Sequence, residues 1–253
     1  MAVDPRLRER RNAVQRALGR RRLRRLGWAA VAVLVPVLAA AALFTPLLDV
    51  DTVHVTGATQ TGETAVLSAL GFGPGKAMVL VDSQTAAEAV ERLPWVERAA
   101  VERDWPGTVT VAVEERQPSV AVLGADGRFT LIDRAGRELA TVDQPAAGLP
   151  VLEGVAIEPR PGTVLEEAEG ALAVVAALPP LLAARVVRVA VRPDGIALAV
   201  RAEGDAQAEV VLGPPTELPA KVLALATLLD EADLAHLKTI DLRVPAAPVL
   251  TRG

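Results

Sequence analysis

The twenty-three residues from Leu26 to Leu48 carry no charge, and ten arginines crowd the twenty-five residues before them. An apolar run of about 20 residues can cross the roughly 30 Å hydrocarbon core of a bilayer as a helix. At about 1.5 Å per residue, this run reaches roughly 34 Å. Basic residues beside a span stay on the cytoplasmic side. The pattern therefore predicts a basic cytoplasmic tail over residues 1–25, a single transmembrane helix over 26–48, and the remainder outside the membrane. Trp28 falls at the inner boundary, where an amphipathic ring is at home, and Pro36 predicts a kink. A cleaved signal peptide is the competing reading, because Leu38-Ala39-Ala40-Ala41-Ala42 offers small-residue sites. Signal cores run about 7 to 15 residues, whereas this run continues through Leu43, Phe44, Leu47 and Leu48, which favours an uncleaved anchor.

Charge is divided unevenly. The ten arginines stand against only Asp4 and Glu9, so residues 1–25 carry +8; the whole chain is −4, which leaves −12 for the rest. The arginines read as a topology signal in contact with anionic head groups, each worth about 1 kcal/mol near the surface. Nucleic-acid binding is the sharper alternative, but no aromatic residue interleaves the arginines to stack on bases. No nucleic-acid partner is expected. The chain has no cysteine, which excludes thiol-linked lipid anchoring and disulfides.

The outer residues fall into two units. In the first, Val53-His54-Val55 reads as a short strand stopped by Gly57. Thr61 to Leu70 reads as a helix ended by Gly71. Thr85-Ala86-Ala87-Glu88 has capping-box spacing, and the helix it opens presents Val90 and Leu93 before Pro94. Val96 to Arg103 and Thr108 to Glu114 read as strands, the second alternating Val109, Val111 and Val113 with polar residues. The order strand-helix-helix-strand-strand predicts two helices covering one sheet face.

After Gln117-Pro118, turn signals at Asp126-Gly127 and Ala135-Gly136 separate strands over Ser119 to Leu123, Phe129 to Ile132 and Glu138 to Val142. A helix over Glu166 to Leu178 stops at Pro179-Pro180. Val186 to Val191, Ile196 to Arg201 and Glu209 to Leu212 form a meander, with Glu203-Gly204-Asp205 turning its second pair. A helix over Pro219 to Asp230 and a last strand over Thr239 to Val244 follow. Residues 245–253, rich in Pro and Ala, read as a flexible tail. The fold class is thus α+β: a transmembrane helix, a β-α-α-β-β unit over 49–116, and a mixed β-domain with two helices over 117–244.

Catalytic chemistry is sparse. His54 sits on a strand's exposed face and His236 lies far away in the other unit, which leaves no histidine-based metal site. Ser68, Ser83 and Ser119 stand in no nucleophile elbow or Ser-x-x-Lys pair. Gly73-Pro74-Gly75-Lys76 resembles a phosphate loop only in part, since Leu70 and Ala77 replace the glycine and hydroxyl residue the loop requires. Adjacent acids such as Glu114-Glu115 and Glu166-Glu167 read as solvated faces. No enzyme activity and no cofactor are expected.

Several stretches nevertheless form a series. Val53-His54-Val55-Thr56-Gly57, Leu93-Pro94-Trp95-Val96-Glu97-Arg98-Ala99, Val101-Glu102-Arg103-Asp104-Trp105-Pro106 and Val113-Glu114-Glu115-Arg116-Gln117-Pro118 resemble the FtsQ/DivIB family of cell-division proteins, whose first outer unit is a POTRA domain. Leu131-Ile132-Asp133-Arg134-Ala135-Gly136, Leu149-Pro150-Val151-Leu152-Glu153-Gly154 and Ile240-Asp241-Leu242-Arg243 resemble that family's β-domain. The composition, heavy in Ala, Val, Arg and Gly, fits a GC-rich actinobacterium. The resemblance implies a non-enzymatic scaffold at the division septum, single-pass in the plasma membrane, that binds FtsB- and FtsL-like partners outside and links the division ring to septal peptidoglycan synthesis. The family binds FtsB around its last strand, which implies partner binding by Thr239, Ile240, Asp241, Leu242, Arg243 and Val244. The bland reading is that Ile240 and Leu242 face the core and Arg243 is solvated. The alternative functions are a membrane-anchored cell-wall enzyme and a POTRA-type secretion or assembly component. Arg116 and Pro118 form either a rigid corner between the units or part of a partner surface. Pro118 holds Gln117 extended, which favours the corner. Trp95 and Trp105 read as core or interface anchors of the first unit.

Overall fold

A computed structural model describes residues 27–38, 40–42, 45–201, 206–231 and 237–252. The arginine tail, His236 and the expected turn at Glu203-Gly204-Asp205 lie outside the described residues, as do Leu26, Ala39, Leu43 and Phe44 of the uncharged run. Helix α1 is described over residues 27–38 and 40–42. Among the described residues no helix is long and apolar enough to cross a membrane.

The first unit has the expected order: β1 (Thr52–Thr56), α2 (Glu63–Leu70), α3 (Ser83–Glu91), β2 (Val96–Asp104) and β3 (Thr108–Glu115). The sheet order is β1-β3-β2, with β1 parallel and β2 antiparallel to β3. Val109, Val111 and Val113 all fall on one side of β3 and are buried with Val66 and Leu70 of α2 and Val90 of α3. Period-two alternation on the strand and helical spacing on α2 and α3 thus meet in one core. The cap of α3 differs from expectation. Asp82, not Thr85, is the N-cap, accepting from the N–H groups of Gln84 and Thr85. The Thr85 hydroxyl donates to the same carboxylate, so Thr85 serves as a first-turn partner of the cap.

Glu115, at the end of β3, fastens the loop that enters α2. Its carboxylate accepts from the Gln60 N–H at 2.8 and 2.9 Å and from the Thr61 N–H at 2.6 Å. Burial pushes this carboxyl up, but the N–H groups of Thr61 and Gln60 outweigh it and hold the group below the usual 4.5. A lowered folded value contributes stability that is complete above the usual glutamate range and is lost as pH falls through the folded value. In Glu115→Gln, the fall in Tm between about pH 6 and about pH 3 is therefore expected to be smaller than in the parent.

The second unit is one nine-stranded sheet in the order β12-β11-β10-β9-β8-β7-β4-β5-β6. Its strands are β4 (Pro118–Leu123), β5 (Phe129–Asp133), β6 (Glu138–Val142), β7 (Val151–Glu153), β8 (Val186–Arg192), β9 (Gly195–Arg201), β10 (Gln207–Gly213), β11 (Leu237–Asp241) and β12 (Val249–Arg252). Helices α4 (Glu169–Ala177) and α5 (Pro180–Ala183) connect β7 to β8, and α6 (Leu218–Glu231) connects β10 to β11. Both connections join parallel neighbours. They advance the same way across strands of the same direction, so crossovers of one hand place α4 and α6 on the same face. There Leu172 and Val174 of α4 and Leu225 and Leu229 of α6 cover Val189, Ile196, Leu198, Val200, Val210 and Ile240. Each fully buried aliphatic side chain contributes about 1.5–3 kcal/mol.

Two short elements depart from expectation. Pro179-Pro180 does not only stop α4; Pro180 opens α5, since the first turn of a helix needs no N–H from its first residue. β7 joins the two halves of the sheet through only three residues.

Candidate partner-binding edge

Among the described residues, twelve strands in two open sheets leave four strand edges, and an unpaired edge exposes backbone donors and acceptors to other chains. Three are wholly or partly closed from within. The β6 edge is covered by residues 162–165: the Glu138 N–H donates to the Thr163 carbonyl at 2.9 Å and the Gly162 N–H to the Glu138 carbonyl at 2.7 Å. The buried Glu138 carboxylate holds that cover by accepting from the Arg160 N–H and the Thr163 hydroxyl. On β2, the Ala99 N–H donates to the Glu91 carboxylate at 3.0 Å, and the Val96 carbonyl accepts from Arg116 Nε at 2.9 Å. The approach to β1 is closed by Val50, which donates to the Lys76 carbonyl and accepts from the Gly75 N–H.

The fourth edge lies where the resemblance directs attention, but one strand further out. β11 ends at Asp241, earlier than the expected strand over Thr239 to Val244. It is not the edge. One side pairs with β10, Glu209 opposite Thr239 and Val210 opposite Ile240, and the Leu242 N–H extends this with a 2.8 Å bond to the Val211 carbonyl. The other side pairs with β12, Thr239 opposite Thr251 and Ile240 opposite Leu250. The segment expected to be a flexible tail thus folds back. After β11 ends at Asp241, the Ala247 N–H closes a turn onto the Val244 carbonyl, and Val249 to Arg252 run antiparallel along β11. Among the described residues, neither a side chain nor a loop hydrogen-bonds the outer side of β12, and all four of its residues are exposed.

The six expected contact residues therefore divide. Ile240 and Leu242 are fully buried in the core, as in the bland reading. Thr239 and Asp241 are half-buried. Arg243 and Val244 are exposed beside the turn. Arg243 is not a free cation: it donates to the Asp241 carboxylate from its backbone N–H at 3.0 Å and from Nη2 at 2.6 Å. The Arg243 side chain holds the Asp241 carboxyl below its usual range, and Asp241 raises the Arg243 guanidinium in return. This pair fixes the exit of β11. Next to it, Leu223, Ala224, Thr227 and Leu228 of α6 and Pro245 and Pro248 of the turn line an apolar groove of about 460 Å³. β12 escaped sequence reasoning because an edge strand with every side chain in solvent shows no burial alternation. Its only signal was the β-branched Val249 and Thr251 after Pro248.

The corner between units is also a built feature. Arg116 Nη1 donates to the Asp133 carboxylate at 2.8 Å, with Asp133 3% exposed. Arg134 pairs with Glu97 across the same junction, and Arg137 donates to the Arg92 carbonyl at 2.9 Å. Trp95 of the first unit packs with Ala121, Leu131 and Leu139 on the sheet face opposite α4. Arg116 and Pro118 thus form a corner, and Trp95 is an interface anchor. Trp105 is not a core residue: it is half exposed at the β2–β3 turn.

Among the described residues, no three His, Cys, Asp or Glu side chains gather as a metal site. The two units are an α+β fold in which, among the described residues, the outer edge of β12 has no hydrogen-bond partner. The profile of the POTRA domain, FtsQ-type, matches residues 48–116, and that of the cell division protein FtsQ/DivIB C-terminal domain matches residues 121–243. The cell division protein FtsQ of Mycolicibacterium smegmatis is 33% identical over 250 residues, covering 98% of this chain and 69% of that protein. FtsQ of Corynebacterium glutamicum is 38% identical over 121 residues, covering 48% of this chain and 54% of its own length. The chain belongs to the FtsQ/DivIB family of cell-division proteins, a family of non-enzymatic divisome scaffolds. A solved extracytoplasmic domain of DivIB from Geobacillus stearothermophilus matches 47% of this chain and 98% of its own length, at 16% identity and a TM-score of 0.31.

Proposed function

We propose that the chain is a bitopic membrane scaffold of the divisome. Residues 26–48 cross the plasma membrane with the arginines inside, and the two outer units bind FtsB- and FtsL-like proteins, coupling the division ring to septal peptidoglycan synthesis. The free edge of β12 is the observation that carries the binding reading. A partner segment adding there would continue the sheet through backbone bonds, with neighbouring side chains supplying selectivity. The contact residues are then β12 itself together with Arg243 and Val244, while Thr239, Ile240, Asp241 and Leu242 support the strand from beneath.

The membrane reading is supported by α1. Val31, Val33, Leu34, Val35, Val37 and Leu38 are all exposed. Ala29, Ala32 and Pro36, also exposed, fill the side these residues leave open, and a helix apolar all round belongs in a core or a bilayer. A fluorescent fusion of the full chain should collect at the septum as cells divide. Uniform membrane fluorescence throughout division would count against the scaffold role.

A further inference from the structure

Exposed apolar side chains gather at the end of the first unit that adjoins the uncharged run. Trp105 is 50% exposed, Leu80 56% and Leu47 82%, with Val79 beside them at 37%. These residues come from three separate segments that the backbone ties together. Asp51 and Thr52 donate N–H bonds to the Gly107 carbonyl at 2.7 and 3.2 Å, which seats the Trp105-Pro106-Gly107 turn against the chain leaving the uncharged run. Val50 donates to the Lys76 carbonyl at 2.7 Å, and Asp49 forms a bridge with Ala77, which brings the segment bearing Val79 and Leu80 to the same place. Arg103 Nη1, next to the turn, donates to the Val81 carbonyl at 3.0 Å and closes the third side. Leu47 lies two residues before Asp49.

We propose that this patch rests in the interfacial layer of the outer leaflet and sets how the first unit stands on the membrane. The proposal depends on the membrane reading above. The occupant follows from continuity: the patch surrounds the point where the uncharged run joins β1, so a bilayer holding that run lies against it. Tryptophan prefers this layer because its ring is apolar and its N–H polar. The charges nearby decide the type of contact. Lys76 and Arg103 stand among Asp49, Asp51, Asp82 and Asp104, so acids outnumber bases. The contact is therefore apolar, and it should depend little on the share of anionic lipid, unlike a polybasic patch.

Nitroxide labelling tests this on the full chain, because no native cysteine interferes. Single Leu80→Cys, Leu34→Cys and Leu181→Cys variants would be labelled, placed in zwitterionic lipid nanodiscs, and compared for relaxation by oxygen, which concentrates in lipid, and by a water-soluble nickel chelate. Leu34 lies in α1, and Leu181 is an equally apolar, 85% exposed site on the second unit. The expected result is lipid-like accessibility at Leu34, shallow lipid immersion at Leu80, and water-like accessibility at Leu181. Adding Trp105→Glu to the Leu80 label should return it towards water, and replacing part of the lipid by an anionic one should not change its depth. Lipid at Leu34 with water at Leu80 would overturn the proposal and leave the anchor intact. Water at both would overturn the anchor and the proposal together.

Discussion

Arg116→Ala is expected to destabilise the outer part by about 3–5 kcal/mol, the cost of stripping one partner from a buried ion pair. Asp133 keeps two bonds after this change, from the N–H groups of Ala135 and Arg137 at 2.8 Å each. Its other oxygen, largely buried beside the guanidinium, is left without that partner. The Val96 carbonyl loses its partner as well. Arg137 is a poor substitute. Its guanidinium is lowered first by burial and then by the charge of Arg116, with Asp133 acting in the opposite direction. The junction therefore holds two cations around one carboxylate. Arg116→Lys should recover part of the loss, since an ammonium restores the charge but not the second bond to Val96. Urea unfolding checks this. The loss should come with weaker coupling between the units, seen as a broadened or split transition. A change below about 1 kcal/mol would show that the pair behaves like a surface contact.

Gly154→Ala is expected to cost at least about 3 kcal/mol, through backbone strain and a collision acting together. Gly154 has φ 82°, and an added Cβ would lie 2.1 Å from the Val191 carbonyl oxygen. Neither chain can yield easily. Gly154 directly follows β7, the three-residue link between the halves of the sheet, and Val191 is paired with Ile196 in the β8–β9 hairpin. Gly148→Ala separates the two causes: its φ is 88°, but the space around its Cβ is open. It should cost only the strain, about 1–2 kcal/mol. Equal losses in the two variants, measured by thermal unfolding, would remove the collision from the account.

Much of this architecture was legible because it rests on local signals. The alternation of Val109, Val111 and Val113 marked β3 and its buried face, and Gly71 marked the end of α2. What escaped was set by pairing between distant segments. β7 is too short for any periodicity. β12 places all its side chains in solvent, so its existence depends on the backbone of β11 and leaves no pattern of its own. Asp82 displaced Thr85 as a cap because a carboxylate one turn earlier could accept two N–H groups at once. Arg116 and Pro118 stood out in the sequence, yet the partner that makes them a corner, Asp133, comes from a different hairpin. The edge of the sheet was similarly misplaced by one strand. The strand expected at the edge, Thr239–Val244, is paired on both sides up to Asp241, and the free backbone belongs to Val249–Arg252.

Strand addition at this free backbone can be tested by titration. The full chain in nanodiscs would be titrated with an extracytoplasmic FtsB-like peptide, comparing the parent with Leu250→Pro and Thr251→Pro. Neighbouring residues of a strand turn their N–H groups to opposite sides, so one proline removes a donor from the free edge and the other a donor facing β11. The edge-facing proline is expected to lower affinity about tenfold or more, roughly 1.4 kcal/mol, while β11 and the core remain folded. Unchanged affinity in both variants would contradict strand addition at β12.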